Sequence, residues 1–352
     1  MKILTLIDSF KGTITSKRLG ELTKEVLSNL GHTVKPFAIS DGGDGFLDAI
    51  SENIELKEVK CIVCDPLMRR IESNYLVTED TAYIELAKAS GINLLTEKEL
   101  NPFIASTYGF GEMINDAITK GYKKIVIGIG GSATDDGGSG MLEALGVKFN
   151  NGTLKEMNNK NLGLINSIDT VVLEKKIKDV KFVVLSDVTN PLLGPNGATY
   201  VFSPQKGAKK DDLPLLENNM INYSSFYPEF IDYPGSGAAG GVGYALKTFL
   251  HAEVVSGIDY ILDLIKYDEI YTNYDLIITG EGKIDSQSLQ GKVISSIMSK
   301  TKERNLIFVC AINELNDNQY NVLSIVGDDV TKEMSMSDPE YYYKELLKKN
   351  FK

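Results

Sequence analysis

One stretch limits what this chain can become: Gly128–Leu145, which reads GIGGSATDDGGSGMLEAL. Just before it, KKIVI at Lys123–Ile127 is a β-branched run bounded by polar residues, the pattern of a buried strand. Just after it, Met141, Leu142 and Leu145 fall at helical spacing, which predicts a helix from about Ser139. Between the two stand six glycines from Gly128 to Gly140, with Ser132, Thr134 and the acid pair Asp135–Asp136. A strand that breaks into glycines and restarts as a helix gathers backbone N–H groups at a helix N-terminus, a pocket suited to phosphate. The stretch fits neither familiar phosphate fingerprint. No Lys-Ser or Lys-Thr follows a second glycine as in Walker A, and Ala133 stands where GxGxxG needs its third glycine.

Strand, loop and helix recur along the whole chain, the signature of α/β layers with largely parallel sheets. Strands are expected at Ile3–Ile7, Val34–Ile39, Lys181–Leu185, Leu276–Thr279 and Leu306–Cys310. Helices are expected at Ser16–Leu30, from Phe46, and at Thr107–Lys120, Asp212–Tyr223, Tyr244–Leu250, Tyr260–Ile270, Gly291–Lys300 and Asp338–Leu347. The texture changes at Glu58–Cys64, Glu72–Val77 and Thr81–Leu86, three short strands that suggest an antiparallel or mixed patch. Asn150–Asn166 is polar and without periodicity, an excursion or hairpin. With 352 residues the chain is long for one core and comfortable for two domains.

Composition removes several classes of chemistry. Net charge is −11, so bulk charge attracts neither nucleic acid nor an anionic membrane. The apolar run of MKILTLIDSF is too short for a signal peptide, and no stretch approaches a membrane span. A cytoplasmic protein is the expectation. Cys61 and Cys64 form a CxxC inside a strand-like run, without a second ligand pair for zinc, and read as structural. Two histidines leave little room for His-based acid–base work. Any chemistry must run on carboxylates, lysines, hydroxyls and backbone amides.

Five expected strands end in loops that combine acid with glycine or hydroxyl residues: Asp8, Asp41 with Asp44, Asp135 with Asp136, Asp187, and Glu281 with Asp285. Ligands of open α/β sheets bind outside the carboxyl ends of strands, so these loops are expected to face one cleft. Any single acid there reads equally well as a helix cap. A second glycine-rich loop, GSGAAGGVG at Gly235–Gly243, precedes a helix. Carboxylates around a phosphate pocket repel the ligand unless a cation intervenes, and Mg²⁺ is the natural one. Lys11, Lys206, Lys283 and Lys292 sit in the same kinds of loop. Acids, backbone amides and lysines together are the parts of phosphoryl transfer.

These motifs carry a resemblance. DSFKGTITS at Asp8–Ser16, DGGDG at Asp41–Gly45, NPFIASTYGFGE at Asn101–Glu112, the Gly128 stretch, DVTNPLLGPNGA, SPQKGA, GSGAAGGVG, SGIDYIL and DLIITGEGKIDSQSLQGK resemble, in order, the bacterial type I glycerate kinase family. The resemblance implies ATP-dependent phosphorylation of D-glycerate, usually to 2-phosphoglycerate, with 3-phosphoglycerate the alternative. It also implies two α/β domains of Rossmann- or flavodoxin-like layers with an interdomain cleft. One domain would be discontinuous (1–60 and 272–352), with 61–271 inserted. The chain departs from the family at Asp135, where Asn is usual, at Val293-Ile294 after Gly291-Lys292, and at Ala311–Glu314.

On this reading the expected catalytic residues are Asp8, Lys11 and Asp187. Asp8 or Asp187 would orient the glycerate hydroxyl and accept its proton, and Lys11 would neutralise the transferred phosphoryl. Asp187 or Asp285 would hold Mg²⁺. Phosphate or substrate contacts are expected from Ser9, Asp41, Gly42, Gly43, Gly130, Gly131, Ser132, Thr134, Gly137, Gly138, Gly240, Gly241, Glu281 and Lys292, with Arg69 as a carboxylate clamp. Within enzymes the alternative is a kinase of another small hydroxy acid. Outside them it is a sensor of phosphorylated metabolites.

Overall fold

A computed structural model describes residues 1–10, 12–40, 45–286, 288–289, 292–301, 305–315 and 319–351, with Lys292 by its backbone alone. Along the chain the sheet strands are β1 (Lys2–Ile7), β2 (Thr33–Ala38), β3 (Lys57–Cys64), β4 (Arg70–Val77), β5 (Thr81–Glu85), β6 (Lys124–Gly128), β7 (Lys181–Leu185), β8 (Glu253–Val255), β9 (Leu276–Gly280), β10 (Asn305–Cys310) and β11 (Val322–Ser324). Its helices include α1 (Ser16–Asn29), α2 (Phe46–Asn53), α3 (Tyr108–Thr119), α4 (Ser139–Leu145), α5 (Leu213–Ser224), α6 (Ala238–Phe249), α7 (Lys292–Lys300) and α8 (Pro339–Asn350). The chain divides into two compact units: Met1–Asp41, Asp48–Glu55 and Ser256–Lys352 form the first, Gly42–Leu47 and Leu56–Val255 the second.

The first unit is built on a sheet ordered β11-β10-β9-β1-β2, in which every neighbouring pair is parallel. Parallel strands are covered on both faces, and KILTLI obliges by burying every residue from Ile3 to Ile7. Ile3 lies between Val34 and Leu276, so the central strand draws its partners from opposite ends of the sequence. On one face α1 lays down Leu19, Leu22, Val26 and Leu27, which meet Tyr343, Leu347 and Phe351 of the C-terminal segment. Thr15 caps α1 by accepting from the Arg18 N–H. On the other face Ile294 of α7 joins Phe308, Cys310 and Ile284.

The second unit is built on a six-stranded sheet ordered β8-β7-β6-β5-β4-β3. The pairs among β5, β6, β7 and β8 are parallel, while β3–β4 and β4–β5 are antiparallel. The change of texture in the sequence is thus a mixed sheet. Its core joins Ile84, Ile125, Ile127 and Val184 of the strands to Phe110 and Met113 of α3, Met141 and Leu142 of α4, and Leu246 and Phe249 of α6. The Asn-rich segment closes as an excursion, with the two-residue strands Lys148–Phe149 and Ile168–Asp169 paired antiparallel at its base. Cys61 and Cys64 lie in β3 with free thiols. Burial pushes the Cys61 thiol up to about 11, which leaves it unreactive at neutral pH.

Candidate active site

In the second unit β6 and β7 lie side by side, Gly128 opposite Leu185. The chains leaving them therefore emerge together at the carboxyl edge of the sheet, where an open α/β sheet receives its ligand. The chain leaving β6 first runs beside Ser90–Ile92, where the Ala133 N–H donates to Ser90 O and the Ile92 N–H to Gly131 O. It then turns inward at Asp135 and Asp136 and enters α4 through Gly137 and Gly138, both left-handed (φ 60° and 73°). The chain leaving β7 carries the half-buried Asp187, held between a Ser186 N–H that donates to Val255 O and a Val188 N–H that donates to Ser186 Oγ.

The acid pair is turned into the protein. Both carboxylates are fully buried, and each has its own partners. Asp136 accepts from the Thr107 N–H and hydroxyl (2.9 and 2.7 Å) and from the N–H groups of Gly138 and Gly140 (3.1 and 3.2 Å). It thereby occupies amides at the start of α4, whose N-cap position is Gly138. Burial pushes its carboxyl up, and the four donors oppose the shift. Asp135 accepts from Thr199 Oγ1 at 3.1 Å, and Asn159 Nδ2 donates to its backbone carbonyl at 2.8 Å.

Beside them Lys206 is only 2% exposed. Its ammonium donates to Ser132 Oγ at 2.8 Å and to Thr134 O at 2.6 Å. Burial pushes Asp135 up to about 7 and pulls Lys206 down to about 8, and the opposite charges resist both shifts.

The second glycine-rich loop opens α6 with Ala239, Gly240 and Gly241 consecutively left-handed. The Gly137 N–H donates to Gly240 O at 2.9 Å. A Cβ on Gly240 would lie 2.0 Å from Thr134 O, so the two loops meet backbone to backbone. Gly130, Gly131, Ser132, Thr134, Gly137, Gly138, Gly240 and Gly241 thus form one assembly, with Asp187 two residues past the end of β7. Arg69 stands apart, its guanidinium bonded to Asp65 (2.5 Å) and Glu99 (2.6 Å). The Thr96 backbone N–H, with help from Arg69, holds Glu99 down at about 2.

In the first unit β1 and β9 are neighbours, Ile7 opposite Gly280, so Asp8 and Glu281 leave adjacent strand ends. Asp8 is 8% exposed, its Oδ1 accepts from the Ser9 N–H at 2.7 Å, and its own N–H donates to Gly280 O. Ser16 donates to Ile7 O and accepts from the Ile39 N–H, which ties the ends of β1 and β2 together. Asp285 accepts from the Ser288 N–H and lies 3.4 Å from Lys283 Nζ. Lys11, Asp41, Gly42, Gly43 and the Lys292 side chain lie outside the described residues.

Among the described residues no three His, Cys, Asp or Glu side chains cluster as a metal site, and no helix is long and apolar enough to cross a membrane. Asn159 and Thr199 escape a reading of the sequence altogether, because nothing local marks them, and Thr107 shows there only as the start of an expected helix inside NPFIASTYGFGE. Lys206 carries only its place beside glycine in SPQKGA as a signal.

A sequence profile described as the glycerate kinase family matches residues 3–349. A glycerate kinase from Bacillus subtilis (strain 168) is 37% identical over 313 residues, covering 86% of this chain and 82% of that one. A glycerate 2-kinase from Escherichia coli (strain K12) is 37% identical over 316 residues, with the same coverage. The crystal structure of a protein described as glycerate kinase 2 from Salmonella typhimurium LT2 superposes with a TM-score of 0.85 at 30% identity, covering 100% of this chain and 97% of that one.

Proposed function

The chain belongs to the glycerate kinase family and is a kinase acting on glycerate, and from that premise we propose that it transfers the γ-phosphoryl group of ATP to the 2-hydroxyl of D-glycerate with Mg²⁺ bound. The Escherichia coli relative's name, glycerate 2-kinase, supports that choice of hydroxyl. The observation that carries the mechanism is the position of Asp187, at the end of the strand next to the one that feeds the glycine-rich loop.

Asp187 accepts a hydrogen bond from the glycerate hydroxyl and takes its proton as the new O–P bond forms and the bond to ADP breaks. Asp8 is the alternative base. The assembled glycine loops, Gly130–Thr134 with Gly240 and Gly241, offer amides to the anionic groups of the substrates. Ser9, Asp41, Gly42, Gly43, Glu281 and Lys292 complete the contacts, and Lys11 offsets charge on the transferred phosphoryl. The ion pairs of Arg69 with Asp65 and Glu99 count against its use as a carboxylate clamp.

A single carboxylate such as Asp187 or Asp285 is a sufficient protein ligand for Mg²⁺, which takes one or two carboxylates and leaves the rest of its shell to phosphate oxygens and water. Asp187 or Asp285 would hold it. The chemistry Mg²⁺ would supply there is neutralisation of the charge that builds on the phosphates.

A coupled assay tests the reading. The purified protein receives Mg·ATP and D-glycerate with enolase but no mutase, and phosphoenolpyruvate is followed. Its appearance is the expected result. Glycerate-dependent ADP release without it would mean the 3-phosphate instead. In the same assay Asp187→Asn is expected to lose about 100-fold or more in kcat while still binding ATP. Unchanged turnover would remove Asp187 from the mechanism.

A further inference from the structure

A buried ammonium is costly to keep, and Lys206 is held within 2% exposure between Ser132, Thr134 and the charge of Asp135. A lysine ammonium has donors only, so Ser132 Oγ accepts in the bond between them. A hydroxyl has one hydrogen, and accepting from Lys206 turns that hydrogen away from the buried side. Among the described residues no acceptor takes the Ser132 O–H, and the hydroxyl sits next to the half-exposed Gly130 and Gly131. The same ammonium grips Thr134 O, so both ends of the Ser132–Thr134 segment are fixed from below.

We propose that Lys206 is a positioning residue that aims the Ser132 hydroxyl outward as a hydrogen-bond donor to an anionic oxygen of a bound substrate, a phosphate of ATP or the carboxylate of glycerate. Lys206 itself never touches the ligand. Its charge polarises the Ser132 O–H and strengthens the bond that the hydroxyl donates. This rests on the reading of the glycine-loop assembly as the substrate site.

The test is a double-mutant cycle. Lys206→Met alone leaves Asp135 buried without its counter-charge, so the lysine is removed as Lys206→Met/Asp135→Asn, which keeps the site neutral. That variant, Ser132→Ala and the combined triple variant are compared with wild type. ATP and D-glycerate are titrated separately by calorimetry, and kcat and KM are measured for each.

Ser132→Ala is expected to weaken one of the two ligands by about tenfold, the worth of a charge-assisted bond. The Lys206 variant should weaken the same ligand by a similar factor and leave the other unchanged. In the triple variant the two losses should not multiply, because the lysine acts through the serine. Losses that multiply, or that strike both ligands equally, would overturn the proposal, and so would a Lys206 variant that binds both as wild type does. If wild type binds neither ATP nor glycerate, this proposal and the functional reading fail together. If it binds both and turns over, multiplying losses sink the Lys206 proposal alone.

Discussion

Asp135 and Asp136 show how far the identity of a residue can stand from its work. Next to a glycine-rich loop they look like groups for a cation or a phosphate, yet both are turned into the protein. A sequence records that an acid follows a strand, not which way the chain turns there. The partners that decide the matter, Thr107, Asn159, Thr199 and Lys206, come from 24 to 71 positions away, and nothing in the sequence ties them to the acid pair. Ser132 and Thr134, in contrast, do lie on the assembly that the motif suggested. Asp135 also gives stability a pH dependence. Its carboxyl is pushed up to about 7, so the folded protein keeps that proton where an unfolded chain has lost it. The group therefore favours the native state fully below the ordinary carboxylate range, about 4, and loses that contribution as pH rises to about 7. Asp135→Asn should flatten this fall, read as the difference in urea unfolding between variant and wild type across that window. A variant that follows wild type in parallel would mean Asp135 is not the group responsible.

At the scale of elements, the core strands were the most legible. β1, β6, β7, β9 and β10 are β-branched runs that a parallel sheet buries on both faces, and all appear within a residue or so of the expected ends. The short edge strand β11 and the helices Val171–Ile177 and Lys332–Ser337 did not announce themselves, because segments of three to seven residues carry too little periodicity. One expected helix, Tyr260–Ile270, is two, Gly257–Leu264 and Tyr267–Ile270, broken where Lys266 turns left-handed (φ 55°). The meeting of the two glycine loops is an element-scale property with a sharp test. Gly240→Ala would drive a methyl into Thr134 O at 2.0 Å and is expected to cost several kcal/mol, about 3 or more. Gly121→Ala has the same left-handed backbone (φ 97°) with nothing within 4 Å, and should cost only about 1 kcal/mol. Thermal unfolding of the two variants measures the difference. Similar losses would mean the loops can separate to admit the methyl.

On the scale of the whole molecule, the second unit owns its core, whereas the first collects its sheet from distant segments. Residues 56–255 expressed alone are therefore expected to fold with a cooperative thermal transition, and residues 256–352 alone are not, since β9 would lack β1. A non-cooperative 56–255 fragment would refute the independence of that core. The same sheet sets a schedule for biosynthesis. β1 and β2 leave the ribosome before the second unit, and the strand that pairs with the other side of β1 follows roughly 270 residues later. At about 5–20 residues per second that is a delay on the order of 15 s to a minute, with the β1 edge open to any passing strand. The inserted unit can complete itself during the wait, so the nascent chain carries one finished body and one exposed edge. A holding chaperone would find its client in that interval rather than in the mature enzyme.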